Sequence, residues 1–147
     1  MAETQSIFNP DADLERLNQT AKDTIVDHLG IRYTELGPDY LVGTMPSDAR
    51  TIQPAGILHG GASVVLAESL GSVASYLVID INKEMAVGLE VNANHLRPAP
   101  TGTSVTGTCR PIHLGKSTHV WDIRITNEAG KLTCICRLTM AVKPLPG

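Results

Sequence analysis

A chain of 147 residues with 18% charged side chains and a net charge of −3 fits one domain, able to bury roughly 70% of the surface its unfolded form exposes without disulfide staples. It has no basic run and no acidic tail, which excludes an electrostatic nucleic-acid binder. Aromatics are only 3%, so the core must be aliphatic and a base-stacking platform is excluded.

Asp13 to Leu29 carries Leu14, Leu17, Ala21, Ile25 and Leu29 at helical spacing, with Gly30 as a stop. The spacing predicts one helix there, inside an N-terminal helical segment over 1–30. No basic stretch followed by an apolar one resembles a secretory signal, so the protein is expected in the cytoplasm. Ile31 to Leu36 and Tyr40 to Met45 read as two strands joined at Gly37-Pro38-Asp39. Ser47 to Leu58 has no clear period, holds Pro54 and Gly56, and reads as a loop.

Gly56 to Ile79, GILHGGASVVLAESLGSVASYLVI, passes from that loop through two glycines into a long apolar helix that carries one acid, Glu68. Its apolar part approaches the ~20 residues of a membrane span. Glu68 would then sit near the bilayer centre, among Ser63, Ser69, Ser72 and Ser75, and polar, alternating strands follow. A helix buried in protein is expected, with no membrane as partner.

The remainder is strand after strand. Val87, Leu89, Val91 and Ala93 alternate with Gly88, Glu90, Asn92 and Asn94, and His95 continues the apolar face toward the helix. Thr103 to Ile112 is Thr-rich. Trp121, Ile123 and Ile125 share one face, as do Leu132, Cys134, Cys136, Leu138, Met140 and Val142. Turns lie at Leu114-Gly115-Lys116 and Asn127 to Gly130. This second half reads as an antiparallel meander with one dry and one wetter face; with the first two strands it makes a six-strand antiparallel sheet, and the apolar helix is the cover for its dry face. The expected class is α+β, a sheet wrapped around a long central helix, as one domain over 1–147.

The three cysteines, Cys109, Cys134 and Cys136, are odd in number and spaced as neither a disulfide framework nor a zinc motif. Buried free thiols are expected. His113 and His119 could face each other across a hairpin, but no third ligand accompanies them, so no metal site is expected. The turn HLGKST lacks the phosphate-loop glycine, since Arg110 stands there, and a strand rather than a helix follows. Lys116 in that turn can still touch a phosphate by its charge.

His59-Gly60-Gly61 directly precedes the helix. Unpaired N–H groups and the positive dipole end suit a carbonyl oxygen that becomes an oxyanion; two glycines also simply make a tight turn. Glu68 has no cation in the flanking turns, and an unpaired carboxylate in an apolar helix is costly. Gly61 and Glu68 are about 10 Å apart along the axis at helical rise. Glu68 therefore should not reach a carbonyl held at the start of its own helix, whereas an antiparallel second copy would bring its Glu68 there. Gln53 and His59 can donate to a carbonyl or position water, and Ser72 lies one turn beyond Glu68.

GILHGGASVVLAESLGSVASY, preceded by Gln53 and followed by VGLEVNANHLRPA, resembles the hotdog-fold acyl-CoA thioesterases. It is most similar to the PaaI-type branch, which includes dihydroxynaphthoyl-CoA hydrolases and enterobactin-pathway proofreading thioesterases. The resemblance extends over nearly the whole chain, including RPIHLGKSTHVWDIRITNEAGKL. It implies a hotdog fold, a homodimer with a continuous sheet, and a dimer-of-dimers tetramer. Hydrolysis of acyl- or aroyl-CoA, or of carrier-protein thioesters, is implied with Glu68 as the catalytic carboxylate, acting as general base or nucleophile. By the same resemblance Gly60 is the oxyanion donor, and Gln53, His59 and Ser72 are polar residues of the site. His95 is implied as a pocket residue; Arg97, His113, Lys116 and Ser117 are implied contacts for the CoA nucleotide. No cofactor is implied, the thiolate being a good leaving group. A hydroxyacyl-thioester dehydratase on the same fold and a non-catalytic acyl-CoA binding module are the alternatives.

Overall fold

The computed structural model describes residues 5–147, leaving the first residues of the 1–30 segment outside it. The elements run Leu14–Thr20 (α1), Ile25–His28 (α2), Arg32–Leu36 (β1), Leu41–Pro46 (β2), Gly60–Val78 (α3), Glu84–His95 (β3), Ser104–Leu114 (β4), Thr118–Thr126 (β5) and Leu132–Pro144 (β6).

The single N-terminal helix expected over Asp13 to Leu29 is in fact two. Asp13 caps α1, accepting from the N–H groups of Glu15 and Arg16 at 3.3 and 3.0 Å. The chain then breaks at Asp23, whose φ of 61° is left-handed and incompatible with continued helix. The helical spacing of the apolar residues outlasts the helix because both pieces lean on the same core.

The six strands form one antiparallel sheet in the order β1-β2-β4-β5-β6-β3. The sheet wraps α3, the architecture that the resemblance implies. Trp121, Ile123, Ile125, Cys134, Cys136, Leu138 and Met140 are buried, matching the expected dry faces of β5 and β6. All three cysteines are buried, with Cys134 Sγ and Cys136 Sγ 3.5 Å apart.

The helix faces this surface with Leu66, Ala67, Leu70, Gly71 and Ala74. Its approach is close: a β-carbon on Gly71 would sit 2.5 Å from Leu138 Cδ2. Small residues on that stripe therefore set the helix-to-sheet distance. One polar contact locks the helix in place. Ser75 Oγ accepts from Trp121 Nε1 at 2.8 Å and lies 3.0 Å from His119 Nδ1, all three residues being buried. His119 thus turns to the helix while His113 is exposed and pairs with Val120, so the two histidines do not form a facing pair.

The simple alternation expected in β3 also fails. Gly88 pairs with Met140 and Glu90 with Thr139, leaving Leu89 as the extra residue of a bulge, 61% exposed. Before the bulge Ala86 and Gly88 stand opposite inward residues; after it Val91, Ala93 and His95 do. Val87 and Leu89 are therefore not part of the inward row. β3 is also an edge strand, with no neighbour on its outer side among the described residues.

Candidate active site

The loop before α3 is tightly held despite lacking regular structure. Thr51 Oγ1 donates to Pro46 O at 2.6 Å, Leu58 N to Ala99 O at 2.8 Å, and His59 N to Thr51 O at 2.8 Å. Gln53 N donates to Ile57 O at 2.9 Å, closing a turn in which Gly56 adopts φ 77°. Gln53 Oε1 accepts from Ala55 N at 2.7 Å. That bond fixes the carboxamide and leaves its NH2 free to donate.

His59 is the N-cap of α3: its Nδ1 accepts from Gly61 N at 2.8 Å. Nδ1 being an acceptor, the neutral ring carries its proton on Nε2, at the exposed edge. The Gly60 N–H has no hydrogen-bond partner among the described residues. It is an unpaired donor at the positive end of a 19-residue helix. His95 lies against it, so near that a β-carbon on Gly60 would be 2.9 Å from His95 Nε2. Gln53, Gly60, His95 and Arg97 line one cavity of about 510 Å³, together with Ser63 and Leu96. Arg97 Nη1 donates to Leu132 O at 2.9 Å, anchoring the guanidinium at its rim.

Glu68 lies elsewhere. It lines a second groove, of about 390 Å³, with Tyr33, Val65, Ser72 and Val73. Its carboxylate rests over the bulged strand, where a β-carbon on Gly88 would come 2.9 Å from Glu68 Oε1. Glu68 has neither a salt bridge nor a hydrogen bond among the described residues. Ser72 does not bond to it; its Oγ is 3.7 Å from Met140 Sδ.

The residues assigned to the nucleotide divide as well. Arg97 follows His95, which pairs with Cys134 near the start of β6. His113 stands at the end of β4, with Lys116 and Ser117 in the β4–β5 turn, closed by Gly115 N to Thr118 O at 2.9 Å, and Thr118 pairs with Ala141 near the end of β6. Within one chain the two groups are at opposite ends of the sheet. No cluster of three or more potential metal ligands occurs among the described residues.

Two neighbours of Glu68, Gly88 and Tyr33, are not marked as site residues by the sequence. Gly88 had a signal, since a glycine inside a strand marks a bulge or a close approach. Tyr33 had none: it is one inward residue of a short strand, and only packing brings it beside Glu68.

Residues 55–134 match the family model described as the thioesterase superfamily. A thioesterase of Pseudomonas aeruginosa, known as a mutant crystal structure, superposes with a TM-score of 0.93 at 56% identity, covering 95% of this chain and all of that one. The 1,4-dihydroxy-2-naphthoyl-CoA hydrolase of Escherichia coli K12 is 53% identical over 88% of this chain and 93% of its own. The proofreading thioesterase EntH of Cronobacter turicensis is 50% identical over the same shares, 88% and 93%.

Proposed function

The chain belongs to the thioesterase superfamily and is a thioester hydrolase of hotdog fold; from that premise we propose that it cleaves acyl- and aroyl-CoA esters in a site completed only by a second copy of itself. The observation that carries this reading is the separation of two half-sites. One holds the unpaired Gly60 N–H with Gln53 and His95, and the other holds the unpaired Glu68 carboxylate. Neither is sufficient for hydrolysis alone.

The edge strand supplies the operator. Gly88, beneath Glu68, lies near the middle of β3, and His95, beside Gly60, at its C-terminal end. Antiparallel pairing of β3 with a second β3, about a two-fold axis crossing between those residues, exchanges the two positions. Glu68 of one copy then comes to Gly60 and His95 of the other. The same operation carries Arg97 of one copy toward the β4–β5 turn of its mate, which unites the proposed nucleotide contacts.

In that site the thioester carbonyl oxygen accepts from the Gly60 N–H, helped by the helix dipole and by Gln53 NH2. Glu68 takes a proton from water as the water adds to the carbonyl carbon, or adds there itself to form a mixed anhydride that water opens. In either path the C–S bond breaks, the sulfur leaves as thiolate, and the thiolate recovers a proton. Likeness to the dihydroxynaphthoyl-CoA hydrolase favours an aroyl-CoA as the substrate.

Glu68→Ala tests the assignment. Thiol release is expected to fall by about 10²–10⁴-fold with the fold and oligomeric state intact; near-wild-type release would sink it. Label found in the Glu68 carboxylate after single-turnover hydrolysis in H₂¹⁸O would establish the nucleophilic path, with water opening the anhydride at the Glu68 carbonyl, because the general-base path places label only in the released acid.

A further inference from the structure

Tyr33 is 4% exposed on the inward side of β1. Its backbone is fully engaged: the N–H donates to Asn18 Oδ1 at 3.0 Å and the carbonyl accepts from Asn18 Nδ2 at 2.8 Å. Its phenol oxygen has no partner among the described residues, yet no side-chain polar atom there is both sealed from solvent and unsatisfied. The hydroxyl therefore opens into the space that the ring lines, the groove of Glu68. Other polar tips are matched: Tyr40 donates to Glu35, and Trp121 and His119 meet Ser75. The rest of that groove combines Ile25, Val26, Val65 and Val73 with Ser69 and Ser72. A hydroxyl without a protein partner in such a wall discriminates between ligands that satisfy it and ligands that leave it unpaired. Burial pushes the Tyr33 phenol up to about 12, so it is a neutral group able to donate or accept at any working pH.

We propose that Tyr33 is a specificity-determining residue whose hydroxyl hydrogen-bonds a hydroxyl carried by the acyl group of the substrate, so that this groove selects hydroxylated acyl thioesters. The assignment rests on the hydrolytic reading above and extends it by running the acyl group past Glu68 into this groove. It adds the residue that reads the acyl group and the feature that is read.

The test compares benzoyl-CoA with the 2-, 3- and 4-hydroxybenzoyl-CoA esters, using wild type and Tyr33→Phe. Wild type is expected to favour at least one hydroxylated ester by about tenfold in kcat/KM. Tyr33→Phe should lose about tenfold more on that ester than on benzoyl-CoA. Equal losses on both, an undiminished preference in Tyr33→Phe, or no preference in wild type each overturn the proposal. Calorimetric titration of the same esters keeps the two readings apart. Failure of wild type to release thiol defeats the hydrolytic function, whereas binding discrimination that disappears in Tyr33→Phe upholds the Tyr33 contact by itself.

Discussion

Glu68 and Gly88 carry the proposed chemistry at the scale of single residues. A carboxylate without a cation or donor among the described residues stays in an apolar helix only where it faces open space, and the bulged strand gives it that space by having no side chain at Gly88. Gly88→Ala would bring a methyl group to 2.9 Å from Glu68 Oε1. The far end of a Glu side chain can swing away, so the fold should survive while the carboxylate loses its aim. The expected outcome is a fall in kcat of about 10²-fold, as for a misplacement of about 1 Å, with an unchanged thermal midpoint. Steady-state kinetics beside a melting curve checks both halves of that statement.

Among the elements, α3 does most of the positioning, and Ser75 ties it to β5 through Trp121 and His119. His119 is 3% exposed beside that serine. Burial holds its pKa below the ordinary 6.5; Glu84 opposes that shift and His113 adds to it. The unfolded chain therefore binds a proton more readily than the folded one. Stability is full above 6.5 and declines as pH falls from there toward the lowered folded value. Denaturant melts at pH 7.5 and 5.5 should show this loss, and His119→Gln, which keeps a partner for Ser75 but cannot titrate, should show less of it. An equal loss in both proteins would place the acid sensitivity elsewhere.

At the level of the whole molecule the proposed site needs two copies of the chain. Gly60→Pro deletes the proposed oxyanion donor: proline is tolerated at a first helical position, and His59 already has the extended backbone required before one. Gly60→Ala places the same β-carbon against His95 and controls for crowding. Gly60→Pro and Glu68→Ala should each be inactive alone. Unfolded together and refolded as a one-to-one mixture, half the dimers are mixed, each with one intact site, so activity should return to about a quarter of wild type. A site built within one chain would give no recovery, because every chain then carries a defect.

Much of this is legible in the amino-acid sequence. The long apolar helix, the loop with Gln53 before it, the dry faces of β5 and β6, and the oddity of Glu68 are local facts of composition and period. Chain adjacency alone put His59 and Gly60 at the helix start, and helical rise alone kept Glu68 away from them. Other features depend on contacts between residues distant along the chain. The break at Asp23, the bulge that turns Leu89 outward, the pairing of His119 with Ser75 and the opening of Tyr33 beside Glu68 are of this kind. Periodicity encodes which face of an element is apolar. It does not encode where a neighbouring strand slips by one residue or which buried hydroxyl is left without a partner, because those outcomes are decided by the packing of α3 against all the strands that surround it.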